Sequence, residues 1–203
     1  IAAEVAKLRD KFVALSDSPE DNFLQRATVD QAGVVADKIN SFAELLNEMR
    51  SDAQDDLSLS INKVNTLLQQ IADTNIQIRF NNLNGKSTAG LEDLRDQAIK
   101  ELSQEMEISF FTRGDGVLVV QTAEGIQLAD DTAEQLFFSN SPVGPTSFYP
   151  GTVNGLFIGD PNTTTNAIDI TQRELNGRIG ALIDLRDEVM PRQQAMLDEL
   201  AHN

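Results

Sequence analysis

The stretch VADKINSFAELLNEMRSDAQDDLSLSINKVNTLLQQIADTNIQI, residues 35–78, decides the fold. Its apolar or small residues recur at intervals of three and four, as on one face of a helix. They are Val35, Ile39, Phe42, Leu46, Met49, Ala53, Leu57, Ile61, Val64, Leu68, Ile71, Asn75 and Ile78. The intervals alternate as in a coiled coil, with a discontinuity around residues 53–57. Because this stretch lacks proline and glycine, we expect one helix from about Asp21 to Arg79, roughly 90 Å long at 1.5 Å per residue.

Shorter helices are predicted on both sides of this long helix. A first amphipathic helix ends near Ser16, before a turn that contains Pro19. After a polar loop at residues 81–88, another helix is expected to carry an apolar stripe formed by Leu91, Leu94, Ala98, Leu102 and Met106. A last helix is predicted over residues 178–201, where Pro191 should kink the helix or open one turn.

Between these later helices the apolar period changes from 3.6 towards 2, which is typical of β-strands. Strands are predicted at Ile108–Phe111, Val117–Val120, Ile126–Leu128, Leu136–Phe138, Leu156–Ile158 and Ala167–Ile170. The first two would form a hairpin with a turn at Gly114-Asp115-Gly116. We therefore predict an α+β fold: an elongated helical bundle, or coiled-coil-like rod, with an inserted small antiparallel β-rich unit. Residues 1–106 and 171–203 would form the helical domain, and residues 107–170 the insertion.

The tetrapeptide Asp-Leu-Arg-Asp occurs twice, at residues 93–96 and 184–187, on the two helices that flank the predicted insertion. On a helix, Leu94 and Leu185 would face the core, and the arginines could bridge carboxylates or carbonyls of a neighbouring helix. Chance recurrence of common helix-surface residues is the alternative. Because Gly, Ala and Leu precede both copies, we expect structural helix pairing through Leu94, Arg95, Asp96, Leu185, Arg186 and Asp187.

Composition argues against catalysis and against polyanionic partners. The chain has 32 acidic and 16 basic residues, a formal charge of −16, which disfavours nucleic acid and anionic membrane surfaces. It has no cysteine, and its single histidine is His202, so Ser-His and Cys-His nucleophile pairs are excluded. Asp55-Asp56 and Asp130-Asp131 would bind a cation only if further oxygens converged on them. We expect a protein that is not an enzyme and that has no cofactor and no metal.

Six motifs follow one another in a specific order along the helical parts of the chain. They are FVALSDSP (12–19), AGVVADKINSF (32–42), INKVN to IADTNIQI (61–78), LRDQ to ELS (94–103), GRIGAL to RD (177–187) and MP to LA (190–201). Together they resemble the flagellar hook-associated protein 1 family, FlgK, whereas the β insertion matches only loosely. On this resemblance, the terminal regions through which intact subunits of that family polymerise as coiled coils would not be part of residues 1–203. The resemblance therefore implies a central fragment.

The resemblance also implies a structural, non-catalytic subunit of the bacterial flagellar hook–filament junction. Its partners would be other copies of itself in the junction ring, the hook protein and the second junction protein, with no nucleic acid and no membrane. It implies an extracellular position in the flagellum, reached through the flagellar export apparatus. The alternatives are a related flagellar axial protein, either flagellin or the second junction protein, and a secreted coiled-coil adaptor or translocator. The fragment itself is expected to be monomeric.

Overall fold

The computed structural model describes residues 1–163, 165–173 and 175–202. These residues form helices α1 Ala2–Asp17, α2 Asn22–Leu83, α3 Ala89–Glu105, α4 Gly177–Asp184 and α5 Met190–His202. The strands are β1 Ile108–Thr112, β2 Leu118–Thr122, β3 Gln127–Ala129, β4 Leu136–Phe137, β5 Phe157–Ile158 and β6 Ile168–Asp169. The predicted α+β class is confirmed. Thr164, Glu174 and Asn203 belong to the predicted domains but lie outside the described residues.

Helix α2 begins and ends at recognisable local signals. The carboxylate of Asp21 accepts hydrogen bonds from the backbone N–H groups of Phe23 at 2.7 Å and Leu24 at 3.3 Å, which is an N-cap. The helix then continues for 62 residues. It ends just before Asn84-Gly85, where the positive φ of 63° at Gly85 turns the chain out of the helix. The long helix predicted from the three-four spacing is therefore present, with an end four residues later than expected.

The strands form two small antiparallel sheets among the described residues, in the orders β1-β2-β3 and β4-β5-β6. The predicted hairpin joins β1 to β2, and Gly116 supplies its turn with a φ of +87°. A register shift between Val120 and Gln121 interrupts the pairing of β2 with β3. Each predicted strand position carries a strand, but β4, β5 and β6 contain only two residues each. Side chains, rather than long ladders, must therefore hold much of this segment in place.

The chain divides into two compact units, one made of residues 50–188 and the other of residues 1–49 and 189–203. Helix α2 contributes residues to both units. These units meet at residues 49/50 and 188/189, whereas the predicted domain boundaries lie at 106/107 and 170/171. The division into a helical domain and a β-rich insertion stays a prediction.

The unit of residues 50–188 has a continuous apolar core. Every member of the predicted α2 stripe in this unit is buried, namely Ala53, Leu57, Ile61, Val64, Leu68, Ile71, Asn75 and Ile78. Around these residues lie Leu102 of α3, Leu118 and Leu128 of the first sheet, and Ile179 of α4. Helix α3 also packs directly against α4. Burying a single Leu or Ile side chain contributes about 1.5–3 kcal/mol, so this core dominates the stability of the unit.

The unit of residues 1–49 and 189–203 buries much less apolar surface. Its buried apolar side chains among the described residues are Val35, Leu46, Met190 and Leu197. Helix α1 has no buried residue, and it contacts α2 through polar groups. The Gln31 amide, for example, donates to the Glu4 carboxylate at 2.9 Å. The predicted stripe is thus only partly buried in this unit, where Phe42 is exposed.

The last predicted helix is divided into α4 and α5 by a π-helical turn at Leu185–Val189. Pro191 follows this turn directly in sequence. Proline has no N–H group to donate, and its ring crowds the carbonyl of the fourth residue before it. A wider turn just before Pro191 relieves both problems. The opened turn predicted from Pro191 is therefore present.

Candidate functional site

The repeated tetrapeptide buries its arginines rather than its leucines. Arg95 and Arg186 are 6% and 0% exposed, whereas Leu94 is 50% exposed and Leu185 is half-buried. The expectation that the leucines face the core is therefore wrong for Leu94 and only partly right for Leu185. The buried positions of α3 include Arg95, Ala98 and Leu102, which are three and four residues apart. Backbone and side-chain oxygens accept from the Nη1 of Arg95 in this position, whereas its buried Nε has no hydrogen-bond partner among the described residues.

Arg95 belongs to a polar cluster that joins α2, α3 and the first sheet. Its Nη1 donates to the Asn75 side-chain oxygen and to the Gly116 carbonyl, both at 2.9 Å. The Asn75 amide nitrogen donates to the carbonyls of Leu118 and Asp130, both at 2.8 Å. The Leu118 N–H donates back to the Asn75 oxygen at 3.0 Å. Asn75, fully buried on the apolar stripe, thus uses all four of its hydrogen-bonding positions.

Arg186 forms the corresponding cluster at the second copy of the repeat. Its Nε and Nη2 donate to the two carboxylate oxygens of Asp187 at 2.9 and 2.7 Å, a bidentate pair within the repeat itself. Its Nη1 donates to the Asn154 carbonyl at 3.0 Å. The guanidinium carbon lies 5.6 Å from the centre of the Phe138 ring, within cation–π range. The fully buried charge is therefore neutralised and hydrogen-bonded.

A third arginine, Arg50 of α2, completes this second cluster. It is 2% exposed and donates from Nε to the Arg186 carbonyl at 3.0 Å. Its two Nη groups donate to the carbonyls of Gly144 at 2.8 Å and Ser147 at 2.9 Å. Burial lowers the pKa of Arg50, and the nearby Asp187 carboxylate opposes that shift. Arg50 is thus held by three carbonyl oxygens, and the loop that contains Gly144 and Ser147 is held against α2.

Asn75 is one of three α2 carboxamides that bind both backbone groups of a single residue in the β segment. Asn65 donates to the Leu136 carbonyl at 2.9 Å and accepts from the Leu136 N–H at 2.8 Å. Gln54 does the same with Ser141, at 2.9 and 3.1 Å. Since the spacings along α2 are 11 and 10 residues, about three helical turns each, the three side chains share one face. We call Gln54, Asn65 and Asn75 the carboxamide row.

The sequence-based prediction did not include the carboxamide row or Arg50. A signal was present at Asn75, a polar residue on an otherwise apolar three-four stripe, since a buried amide must find partners. Gln54 and Asn65 lie off that stripe. The only signal for them was their spacing of about three turns, which places both amides on one face of the helix. Arg50 follows Met49 at the edge of the stripe, where an arginine normally lies at the surface.

The acidic pair Asp130-Asp131 lies against arginines rather than in a cation site. Arg79 pairs with Asp131, and Arg113 lies 3.3–3.5 Å from the carboxylates of Asp115, Asp130 and Asp131. Within residues 1–163, 165–173 and 175–202, no group of three or more acidic or histidine side chains could hold a metal ion. No helix in the described part of the chain is long and apolar enough to cross a membrane.

A cleft of about 460 Å³ lies beside the second sheet. Its lining includes Phe137, Phe138, Tyr149, Asn154, Phe157 and Asp169. Burial and the hydrogen bond to Asp169 raise the pKa of Tyr149, so its hydroxyl stays protonated. Burial would raise the pKa of Asp169, but hydrogen bonds from Tyr149 and Thr171 outweigh it and lower this pKa. In this cleft the Tyr149 hydroxyl therefore donates a hydrogen bond to the Asp169 carboxylate.

The fold and these clusters define a structural helical domain with small sheets fixed to one long helix. The family model for the flagellar hook-associated protein FlgK helical domain matches residues 1–203. The chain therefore belongs to the FlgK family, as the resemblance of its helical motifs predicts.

Relatives of known identity agree with this assignment. Flagellar hook-associated protein 1 of Escherichia coli K12 is 24% identical over 202 residues, which cover 96% of this chain and 36% of the relative. The protein of the same name from Salmonella typhimurium LT2 is 25% identical over 191 residues, 92% of this chain and 33% of the relative. This chain thus spans about a third of the length of the curated relatives it matches.

A solved structure shares the fold. It is that of the flagellar hook junction protein FlgK from Burkholderia pseudomallei, with a TM-score of 0.79 and 19% sequence identity. The match covers 97% of this chain and 34% of that protein.

Proposed function

We propose that the chain is part of a structural, non-catalytic subunit of the bacterial flagellar hook–filament junction. The observation that carries this proposal is the match of the FlgK helical-domain family over the whole chain. The relatives are named hook-associated, and the solved neighbour is named a hook junction protein. Because the chain spans only about a third of these proteins, it would supply one region of such a subunit.

The buried polar groups support a role without catalysis. Arg50, Arg95 and Arg186 point to backbone carbonyls or to neighbouring side chains that accept their hydrogen bonds. The carboxamide row binds backbone groups in the same way. Hydrogen bonds of this kind stabilise a fold, and they occupy donors and acceptors that a substrate would otherwise need. We propose the same structural role for the six residues of the repeat, with the two arginines fixing the β segment to the helices.

The exposed apolar side chains of residues 1–49 and 189–202 are the proposed contact surface for other flagellar subunits. They are Phe12, Val13, Phe23, Val29, Val34, Phe42, Leu45, Met49, Met196 and Leu200. Exposed apolar residues that adjoin one another are typical of interaction surfaces, and Phe42, Leu45 and Met49 lie three and four residues apart on one face of α2. The proposed partners are other copies in the junction ring, the hook protein and the second junction protein. The charge of −16 disfavours nucleic acid and membrane surfaces as partners.

The proposed location is extracellular, in the flagellum, after export through the flagellar apparatus. We also propose that the helical residues 1–106 and 171–203 act as one domain and that residues 107–170 act as an insertion in it. The isolated chain should be a monomer at micromolar concentration, since its net charge opposes self-association. Analytical ultracentrifugation tests this last point, and a stable oligomer at that concentration would contradict it.

A domain exchange tests the junction role. In a strain of Escherichia coli that lacks its hook-associated protein 1, the segment that aligns with this chain is replaced by residues 1–203. We expect the exchanged protein to restore filament attachment and swimming. A second variant of the exchanged protein tests the proposed contact surface by replacing Phe23, which is 75% exposed, with glutamate. It should reduce the recovery of swimming without unfolding the protein. A folded and exported exchanged protein that attaches no filaments would overturn the proposal.

A further inference from the structure

Strand β1 is uncharged, and one of its edges pairs with no strand among the described residues. It is the first strand in the order β1-β2-β3, and its sequence is Ile-Ser-Phe-Phe-Thr. Phe110 and Phe111, which point to opposite faces of the sheet, are 55% and 51% exposed. An exposed apolar edge strand is a template for a further strand, and proteins usually protect such edges with lysine, proline or a bulge. Residues 108–112 contain neither lysine nor proline, and the bulge in this sheet lies between β2 and β3.

The pairing register shows which backbone groups of β1 are free. The Arg113 N–H donates to the Val117 carbonyl at 2.8 Å, so this pair just beyond the strand is a hydrogen-bonded one. Hydrogen-bonded and non-hydrogen-bonded pairs alternate along an antiparallel ladder. The N–H and C=O groups of Ser109 and Phe111 therefore point towards β2. Those of Ile108, Phe110 and Thr112 point away from the sheet, towards the free edge.

We propose that two copies of this chain pair along β1, antiparallel and centred on Phe110, to form one six-stranded sheet. In this register Phe110 faces Phe110 of the second copy, and Ile108 faces Thr112. All three residues carry outward backbone groups, so each facing pair can exchange two hydrogen bonds. The required register thus coincides with the groups that β2 leaves free.

The charges that flank β1 favour this antiparallel pairing over a parallel pairing of the two strands. Glu107 directly precedes β1 and Arg113 directly follows it. Antiparallel pairing centred on Phe110 places Glu107 of one copy opposite Arg113 of the other, whereas parallel pairing would bring like charges together. No described cation forms an ion pair with Glu107, whose carboxylate accepts a hydrogen bond from the Asn176 amide. Because Arg113 already contacts three aspartates, its pairing with Glu107 of the second copy should add little affinity. Its main effect should be to select the pairing register.

The pairing should be weak and distinct from the ring contacts proposed above. One short strand from each copy buries less than the roughly 1,200 Å² of a stable interface, and the charge of −16 on each copy opposes contact. The chain should therefore remain a monomer at micromolar concentration and pair when it is concentrated. A two-fold contact is self-complementary and cannot repeat head to tail around a ring. This inference therefore stands independently of the junction role.

Disulfide trapping tests the pairing, because the chain has no cysteine of its own. In a hydrogen-bonded antiparallel pair the Cα atoms lie about 5.5 Å apart, within reach of a disulfide. We expect Phe110→Cys, at high protein concentration under mild oxidation, to form disulfide dimers several times faster than Leu59→Cys. Leu59 is a matched control because it is an apolar residue of the same compact unit and is 66% exposed. Circular dichroism first verifies that both variants are folded.

Charge variants test the register. Adding Glu107→Lys to Phe110→Cys should slow dimer formation several-fold, because a lysine then faces Arg113 of the second copy. Adding Glu48→Lys, which changes the net charge equally at an exposed position outside this compact unit, should not slow it. Equal rates for Phe110→Cys and Leu59→Cys would overturn self-pairing. So would capture of Phe110→Cys by an unrelated strand-forming peptide but not by a second copy.

Discussion

Arg50 donates a hydrogen bond from its Nε to the backbone carbonyl of Arg186 at 3.0 Å, although 136 residues separate the two in sequence. Both arginines are almost completely buried, at 2% and 0% exposure. Asp187 forms a bidentate pair with Arg186, and three carbonyl oxygens accept from Arg50. Two guanidinium groups can be buried together here because carbonyl oxygens give Arg50 the hydrogen-bond acceptors and the negative potential that a second carboxylate would otherwise provide.

Replacing Arg186 with alanine should destabilise the unit of residues 50–188. The substitution leaves the Asp187 carboxylate without its bidentate partner and the Asn154 carbonyl without this donor. Removing one partner of a buried ion pair typically costs about 3–5 kcal/mol. Chemical denaturation followed by circular dichroism measures the free energy of unfolding. Arg178→Ala is the matched control, since Arg178 is half exposed and 3.5 Å from Asp56, and it should cost under about 1 kcal/mol.

The first copy of the repeat permits a comparison of adjacent residues. Arg95→Ala should lower the free energy of unfolding by about 3 kcal/mol, because the Gly116 carbonyl and the Asn75 oxygen lose a charged donor. Leu94→Ala removes a half-exposed side chain and should change that free energy by only about 0.5 kcal/mol. Thermal melts of both variants check the order. Unchanged melting of Arg95→Ala would show that the repeat is a chance recurrence.

The carboxamide row should be coupled to Arg95 through Asn75. Asn75→Ala removes both partners of the Leu118 backbone and should cost about 3 kcal/mol or more. Asn62→Ala, at an exposed position of the same helix, should be nearly neutral. Because Asn75 and Arg95 share a hydrogen bond, the double variant should cost less than the two single costs added together. Strictly additive costs would show that the two side chains act separately.

Acid should weaken the hydrogen bonds around Asp169. Its folded-state pKa lies below the ordinary value, despite burial, because Tyr149 and Thr171 donate to the carboxylate. A lowered folded-state pKa stabilises the fold fully above the unfolded pKa, about 3.9 for aspartate. That stabilisation is lost as the pH falls through the lower folded pKa. The wild-type chain should therefore lose more stability between about pH 5 and pH 2 than Asp169→Asn does. Parallel pH dependences of the two proteins would refute the assignment.

The repeating apolar spacing made the helices and strands predictable. The three-four spacing of residues 35–78 was enough for α2, and the change to a period of two was enough to locate β1 and β2. Pro191 was enough to predict the opened turn. These features depend on residues that are close in sequence, so the apolar spacing and a single proline were enough to predict them.

The buried polar clusters could not be predicted in the same way. Leu94 and Arg95 lie next to each other, and hydrophobicity alone favours burying the leucine. The arginine is buried instead because the Gly116 carbonyl and Asn75 lie within reach, and both come from distant parts of the sequence. Arg50 was missed for the same reason, since its acceptors lie about a hundred residues away.

The carboxamide row also determines where this chain can change in length. Adding one residue to α2 between Gln54 and Asn65 would rotate the two amides apart by about 100° around the helix axis. One of the two would then lose its backbone partner at Leu136 or Ser141. Residues added to the loop after Ser141 would leave both amides in place. Insertions and deletions should therefore be selected against within the second half of α2, and be tolerated only at positions of the β segment that neither these amides nor the buried arginines hold.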